Sequence, residues 1–270
     1  MSAAFGVRSR RSSGAGARRG RLFATLRCDM RLQFRNGFYY ATAFVTAIYA
    51  LALSQVSGGQ IGLNIAALFP VFVLDSMLVG TFYFVAGQVL LEKGEETLQA
   101  QVVSPLRPWE YLASKVVTLT LLTVVQYLVL LGVFQGFSLA PGTLFFIAGL
   151  ALASTMYVLV GFISVARYTS VTDYLIPSIL YTGFMLLPLG LYVLSGLNGW
   201  GFLAYVAYLH PMEAPLQLLR AGFEEIAAWQ VVYGLAYSVV WICLLYRLSL
   251  RAFDKHIVGA AGSGKEKDAS

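Results

Sequence analysis

Few side chains in this sequence combine the residue types and spacing that chemistry requires. The nearest approach is Gly259 to Glu266, GAAGSGKE, which follows the phosphate-binding spacing G-x-x-x-x-G-K-[ST] as far as Lys265. In such a loop, backbone N–H groups and the lysine cradle phosphates while the final hydroxyl holds Mg²⁺. Glu266 occupies that final position, where it offers no hydroxyl and adds negative charge. No apolar strand precedes the loop to set up a helix N-terminus for the phosphates. The stretch reads as a Gly/Lys-rich tail, and ATP hydrolysis is not expected of this chain. His210 and His256 are the only histidines, and neither has a metal-spaced partner. Cys28 and Cys243 stand far apart and read as small apolar fillers. Neither G-x-S-x-G nor H-E-x-x-H occurs. Two features with chemical potential remain. Asp75 is a lone carboxylate inside the apolar run FPVFVLDSMLVG, and Leu90 to Lys115 is a long charged interruption.

The elements that position these residues are written in the composition. Hydrophobic residues make up 58% of the 270 and charged residues 12%, against roughly 45–50% and about 25% in soluble domains. A chain this apolar takes the bilayer as its solvent. Six apolar stretches, each near the ~20 residues needed to cross a bilayer, lie at about 37–56, 65–91, 112–135, 143–166, 174–195 and 230–249. The expected fold is therefore an all-α polytopic membrane protein with six transmembrane helices. Placing both termini in the cytoplasm puts eighteen of the nineteen Lys and Arg residues on that side, leaving only Arg220 outside. Positive charge marks the cytoplasmic face, so this arrangement and a multi-pass plasma-membrane location are the expectation. The net charge of +6 then sets topology, and no nucleic-acid partner is expected.

Residues 1–20 hold five arginines and no acid, and read as a disordered basic tail. In 21–36, Leu22, Phe23, Leu26, Met30 and Phe34 share one third of a helix circumference, with Arg27, Arg31 and Arg35 as the adjoining stripe. This is the pattern of an amphipathic helix lying in the membrane interface with its arginines toward anionic headgroups; Asp29 and Leu32 interrupt it. The six-helix domain spans 37–250, and 251–270 form a cytoplasmic tail. Between helices five and six, residues 196–229 include Pro211 and Pro215 in an apolar, partly amphipathic run. One or two short helices dipping into the outer leaflet are expected there, acting either as a gate or as a cap; backbone at that depth must be covered by protein or face a water-filled cavity. Asp75, costly to insert, is expected to face the bundle or a cavity, as a cation or proton site or as a carboxyl satisfied by its neighbours.

The charged stretch carries Glu92, Lys93, Glu95, Glu96, Arg107, Glu110 and Lys115. Gly94 interrupts the second helix as it leaves the membrane, and Pro105 and Pro108 break the chain before the third, which predicts a short helix at 92–110 on the cytoplasmic surface. Glu-x-Gly-x-x-Thr-Leu followed by Ser-Pro-Leu-x-x-x-Glu-Tyr-Leu-x-x-Lys resembles the cytoplasmic loop of ABC-2 type permeases, the membrane subunits of ATP-driven exporters. The matching residues are Glu92, Gly94, Thr97, Leu98, Ser104, Pro105, Leu106, Glu110, Tyr111, Leu112 and Lys115. RLQFRNGFYY (31–40) and LHPMEAPLQLL (209–219) are similar to the fluoroquinolone-export branch. The family commonly runs Glu-x-Gly-Thr-Leu without a break, whereas Glu95 and Glu96 separate Gly94 from Thr97 here. The resemblance implies that the loop is a coupling helix seated in a cleft of a separate ATPase, with Glu92, Gly94, Glu95, Glu96, Thr97, Leu98, Ser104 and Pro105 as docking residues. It also implies two ABC ATPase subunits, a second permease chain, and ATP and Mg on the ATPase, with no cofactor on this chain. The expected function is outward export of a lipophilic or amphipathic compound such as a drug. The alternative is an ATPase-independent carrier or channel that uses Asp75 as its proton or cation site.

Overall fold

The computed structural model describes residues 14–57, 65–95, 107–135, 141–188, 190–191 and 202–258. These form helices joined by turns, with no strand among them. In chain order they form α1 (Gly14–Arg35), α2 (Phe38–Ser57), α3 (Ile65–Met77), a wide π-helical segment (Leu78–Tyr83), α4 (Phe84–Gly94), α5 (Pro108–Gln135), α6 (Pro141–Val165), α7 (Val171–Met185), α8 (Phe202–Ala207), α9 (Glu213–Arg220) and α10 (Ala228–Phe253).

Four stretches have the length and apolarity of a membrane span: Leu68–Gly94, Pro108–Phe134, Gly142–Val165 and Ala228–Val258. They coincide with the second, third, fourth and sixth expected spans. The 27 residues of Leu68–Gly94 rise about 40 Å at 1.5 Å each, enough for a hydrocarbon core of about 30 Å. The chain is thus a multi-pass membrane protein. The first expected span coincides with α2, whose apolar run Phe38–Ala52 falls short of those four. The fifth begins as α7, fifteen residues with Pro177 inside, and its expected C-terminal end lies outside the described residues. The last helix runs past the expected limit at residue 249, continuing through Phe253 into a π-helical turn, Asp254–Val258.

Helix α6 is central because it is apolar on every side and small where neighbours must approach. A Cβ on Gly161 would meet Val85 Cγ1 at 2.5 Å and the Phe82 carbonyl oxygen at 2.8 Å. The hydrogen at this position lets α6 close on the π-helical segment. On α10, a Cβ at Gly234 would meet Leu218 Cγ at 2.8 Å, so α9 wedges between α6 and α10. Residues 211–219 are all buried. The second short helix of the expected outer-leaflet pair is therefore enclosed by protein, which satisfies its backbone environment without lipid. In contrast, α10 and α7 leave broad apolar faces exposed, including Val232, Val239, Leu244, Ile176 and Leu180.

Candidate functional site: a buried ion cluster at the root of the charged loop

The roots of the charged loop are the end of α4 and the start of α5. Lys115, two turns into α5, is fully buried. Its Nζ donates to Asp29 Oδ1 on α1 at 2.7 Å and to Glu92 Oε1 on α4. Tyr111, one turn earlier on α5 and also buried, donates its hydroxyl to Glu92 Oε2 at 2.7 Å. The Ser114 hydroxyl donates to Asp29 Oδ2. One turn along α1, Gln33 Nε2 donates to Thr118 Oγ1 at 3.0 Å and reaches Gln88 Oε1 at 3.5 Å. Three helices thus converge on one ammonium. Removing a charge from water is costly unless it is paired and hydrogen-bonded. Here each carboxylate accepts from the ammonium and from one hydroxyl, and the ammonium donates to both carboxylates.

This geometry adds a buried face to the 21–36 segment. Its apolar third divides: Phe23, Met30 and Phe34 are exposed, while Leu22 and Leu26 are half-buried beside buried Asp29 and Gln33. Asp29 interrupts the amphipathic pattern because it belongs to a third face, turned toward the bundle. Arg27, Arg31 and Arg35 are exposed, on the side away from the cluster. Helix α1 also starts earlier than expected, at Gly14.

The remaining loop-root charges are tied as well. Lys93 Nζ donates to the Ala166 and Tyr168 carbonyl oxygens at 2.5 and 2.7 Å. These carbonyls lie just past the end of α6, where a cation offsets the free C-terminal carbonyls. Arg35 pairs with Glu95 across the surface at 3.0 Å, and Glu110 Oε2 accepts from the Arg107 N–H at 3.0 Å, capping the first turn of α5.

Of the sequence-derived loop residues, Glu92 turns inward into the cluster, while Gly94 and Glu95 are exposed where α4 ends. Glu96, Thr97, Leu98, Ser104 and Pro105 lie outside the described residues. Asp75 is exposed on the α3 surface of the isolated chain. It borders a small cavity with Leu74, Tyr157, Met185 and Leu216, and the structure does not bring it to the Lys115 cluster. A second cavity of about 190 Å³, between α6, α7 and α10, is lined by Met156, Tyr181, Phe184, Met212, Trp241 and Leu245. Among the described residues no His, Cys, Asp or Glu group has a metal-binding arrangement.

Sequence reasoning missed the cluster because its members are separated by 23 and 86 positions from Lys115. One signal was present: Asp29 is the only acid before Asp75, in an otherwise basic segment.

Comparison with known proteins gives a consistent result. Residues 20–261 match the family model described as the fluoroquinolones export permease protein family. The chain is 34% identical over 246 residues to fluoroquinolones export permease proteins of two Mycobacterium tuberculosis strains, covering 90% of this chain and 98% of each relative.

Proposed function

Because the chain belongs to the fluoroquinolones export permease family, we propose that it is the membrane subunit of an ATP-driven exporter of lipophilic or amphipathic compounds, fluoroquinolones among them. Energy enters through the 92–110 loop, docked on a separate ATPase that carries ATP and Mg. The observation supporting this entry point is the anchoring of both loop roots: Glu92 on α4 and Lys115 on α5 meet in one buried cluster, so a push on the loop moves two membrane-spanning helices together. Glu95, Glu96, Thr97, Leu98, Ser104 and Pro105 form the docking surface, with Gly94 as the break that lets the chain leave α4. Glu92, its carboxylate enclosed, holds the loop root in place.

The working complex pairs this permease with a second permease chain and two ATPase subunits, with both termini cytoplasmic. Arg27, Arg31 and Arg35 lie at the cytoplasmic headgroup level. Asp75 belongs to the substrate pathway, since a carboxylate on a spanning helix cannot rest in lipid cheaply and needs a partner helix or water.

The test is purification of the tagged permease from the membranes of its own cell. An ATPase should co-purify, and proteoliposomes of the complex should take up a fluorescent fluoroquinolone only with ATP. An isolated permease that transports by itself, losing activity in Asp75→Asn, would instead establish the carrier reading.

A further inference from the structure

We propose that α1 is a moving part of the transporter: Lys115 makes it travel with the root of the charged loop, and Asp29 is a positioning residue for coupling. This inference rests on the coupling role proposed above and extends it to an element that the sequence pattern places at the membrane surface, outside the bundle.

Lys115 Nζ holds Asp29 on α1 and Glu92 on α4 at once. The helix entering the loop and the helix leaving it therefore share one ammonium with α1. All three charged groups are nearly inaccessible, at 0% exposure for Lys115, 2% for Asp29 and 4% for Glu92. If α4 and α5 shifted without α1, an ionised group would be stranded where water cannot reach it, so the three helices move as one body. Gln33 repeats the tie one turn on, to Thr118 of α5, and Arg35 repeats it outside, to Glu95, the residue that follows α4.

The other end of the linkage is equally short. Helix α1 ends at Arg35 and α2 begins at Phe38. Between them the Asn36 N–H donates to the Leu32 carbonyl and Gly37 adopts φ +79°, a left-handed turn that leaves no slack. Motion of α1 must reach α2. The loop thus drives four helices, α4 and α5 directly, α1 through Lys115 and α2 through α1, by a contiguous chain of contacts.

The experiment uses the permease–ATPase complex in proteoliposomes, with ATP hydrolysis and fluoroquinolone uptake measured on the same sample. Asp29→Asn keeps the side chain's size and its acceptor for Ser114 but removes the charge that holds Lys115. The expected result is an assembled complex that hydrolyses ATP at close to the wild-type rate, with transport per ATP reduced about tenfold, the effect of a coupling free energy of ordinary size. Asp29→Glu, which restores the charge, recovers part of that loss. A merely structural role would lower yield and both activities together, leaving transport per ATP unchanged, and that result overturns the proposal. Should Asp29→Asn fail to assemble, exposed Arg35→Gln cuts the outer tie without burying a charge. It should lower transport per ATP in the same direction, and wild-type stoichiometry there also overturns the proposal. If the wild-type chain binds no ATPase and shows no ATP-driven uptake, the underlying coupling reading falls and takes this one with it. Coupled transport in both wild type and Asp29→Asn defeats this one alone.

Discussion

At the residue scale, the chain's ionisable groups divide by environment rather than by type. Lys115 is invisible to solvent, yet it is the point where three helices meet. Replacing it with Met leaves Asp29 and Glu92 facing each other without a cation. Breaking a buried pair from one side costs about 3–5 kcal/mol, so Lys115→Met should lower the thermal transition of the detergent-purified protein markedly. Replacing exposed Arg27 should leave it almost unchanged. His210 offers a second test. It is buried against the Phe184 ring at 4.7 Å, and its Nδ1 accepts the Met212 N–H at 3.2 Å. Burial pushes its imidazole down to about 4 from the ordinary 6.5, so it is neutral in the folded turn. Between those values the unfolded chain binds the proton and the folded turn does not. Its contribution is therefore complete above about 6.5 and is lost as the pH falls toward 4. Hydrogen exchange of the Leu209, His210 and Met212 amides should accelerate as the pH falls from about 7.5 to about 5 after correction for the intrinsic rate, and His210→Gln should remove that dependence.

At the element scale, glycines and small residues decide which helices touch. The prediction for Gly161→Ala follows from the contacts its Cβ would make at 2.5 and 2.8 Å, one with the Val85 side chain and the other with the Phe82 backbone. The backbone contact cannot be relieved by a rotamer change. Overpacking of this kind costs about 1–3 kcal/mol, read as a lower midpoint of thermal unfolding. Gly87→Ala, which meets nothing within 4 Å, is the control and should be neutral or slightly stabilising, since alanine favours a helix interior. The π-helical segment Leu78–Tyr83 lies in the same region, where the Thr81 and Thr123 hydroxyls meet at 3.0 Å. Helical periodicity gave no sign of it, because an inserted residue in a helix leaves the apolar run unbroken. The third face of α1 is hidden in the sequence for a related reason: a two-faced pattern of lipid and headgroup accounts for its Phe and Arg residues without reference to a partner.

At the scale of the whole molecule, the proposed export reading places the energy source on a separate ATPase chain. The loop is where another chain can supply it. Substituting Glu96 or Leu98 with Ala should leave the permease folded and its basal ATPase partner active while abolishing most ATP-driven uptake. Measuring both activities in one proteoliposome preparation checks this, and normal export by those variants would remove the docking role from the 92–110 loop.

Membrane class, the positions of the four long spans, the charged loop between the second and third expected spans, and the resemblance to export permeases were all legible in the amino-acid order. Each depends on local properties that the bilayer itself selects: about twenty apolar residues per crossing, polar connectors, and a short linear motif. The Lys115 cluster, the enclosure of α9 and the inward turn of Glu92 were decided only by tertiary structure. Those features depend on which faces of distant helices meet, and a charge reads the same in sequence whether it ends in water or is met by its partner 86 residues away.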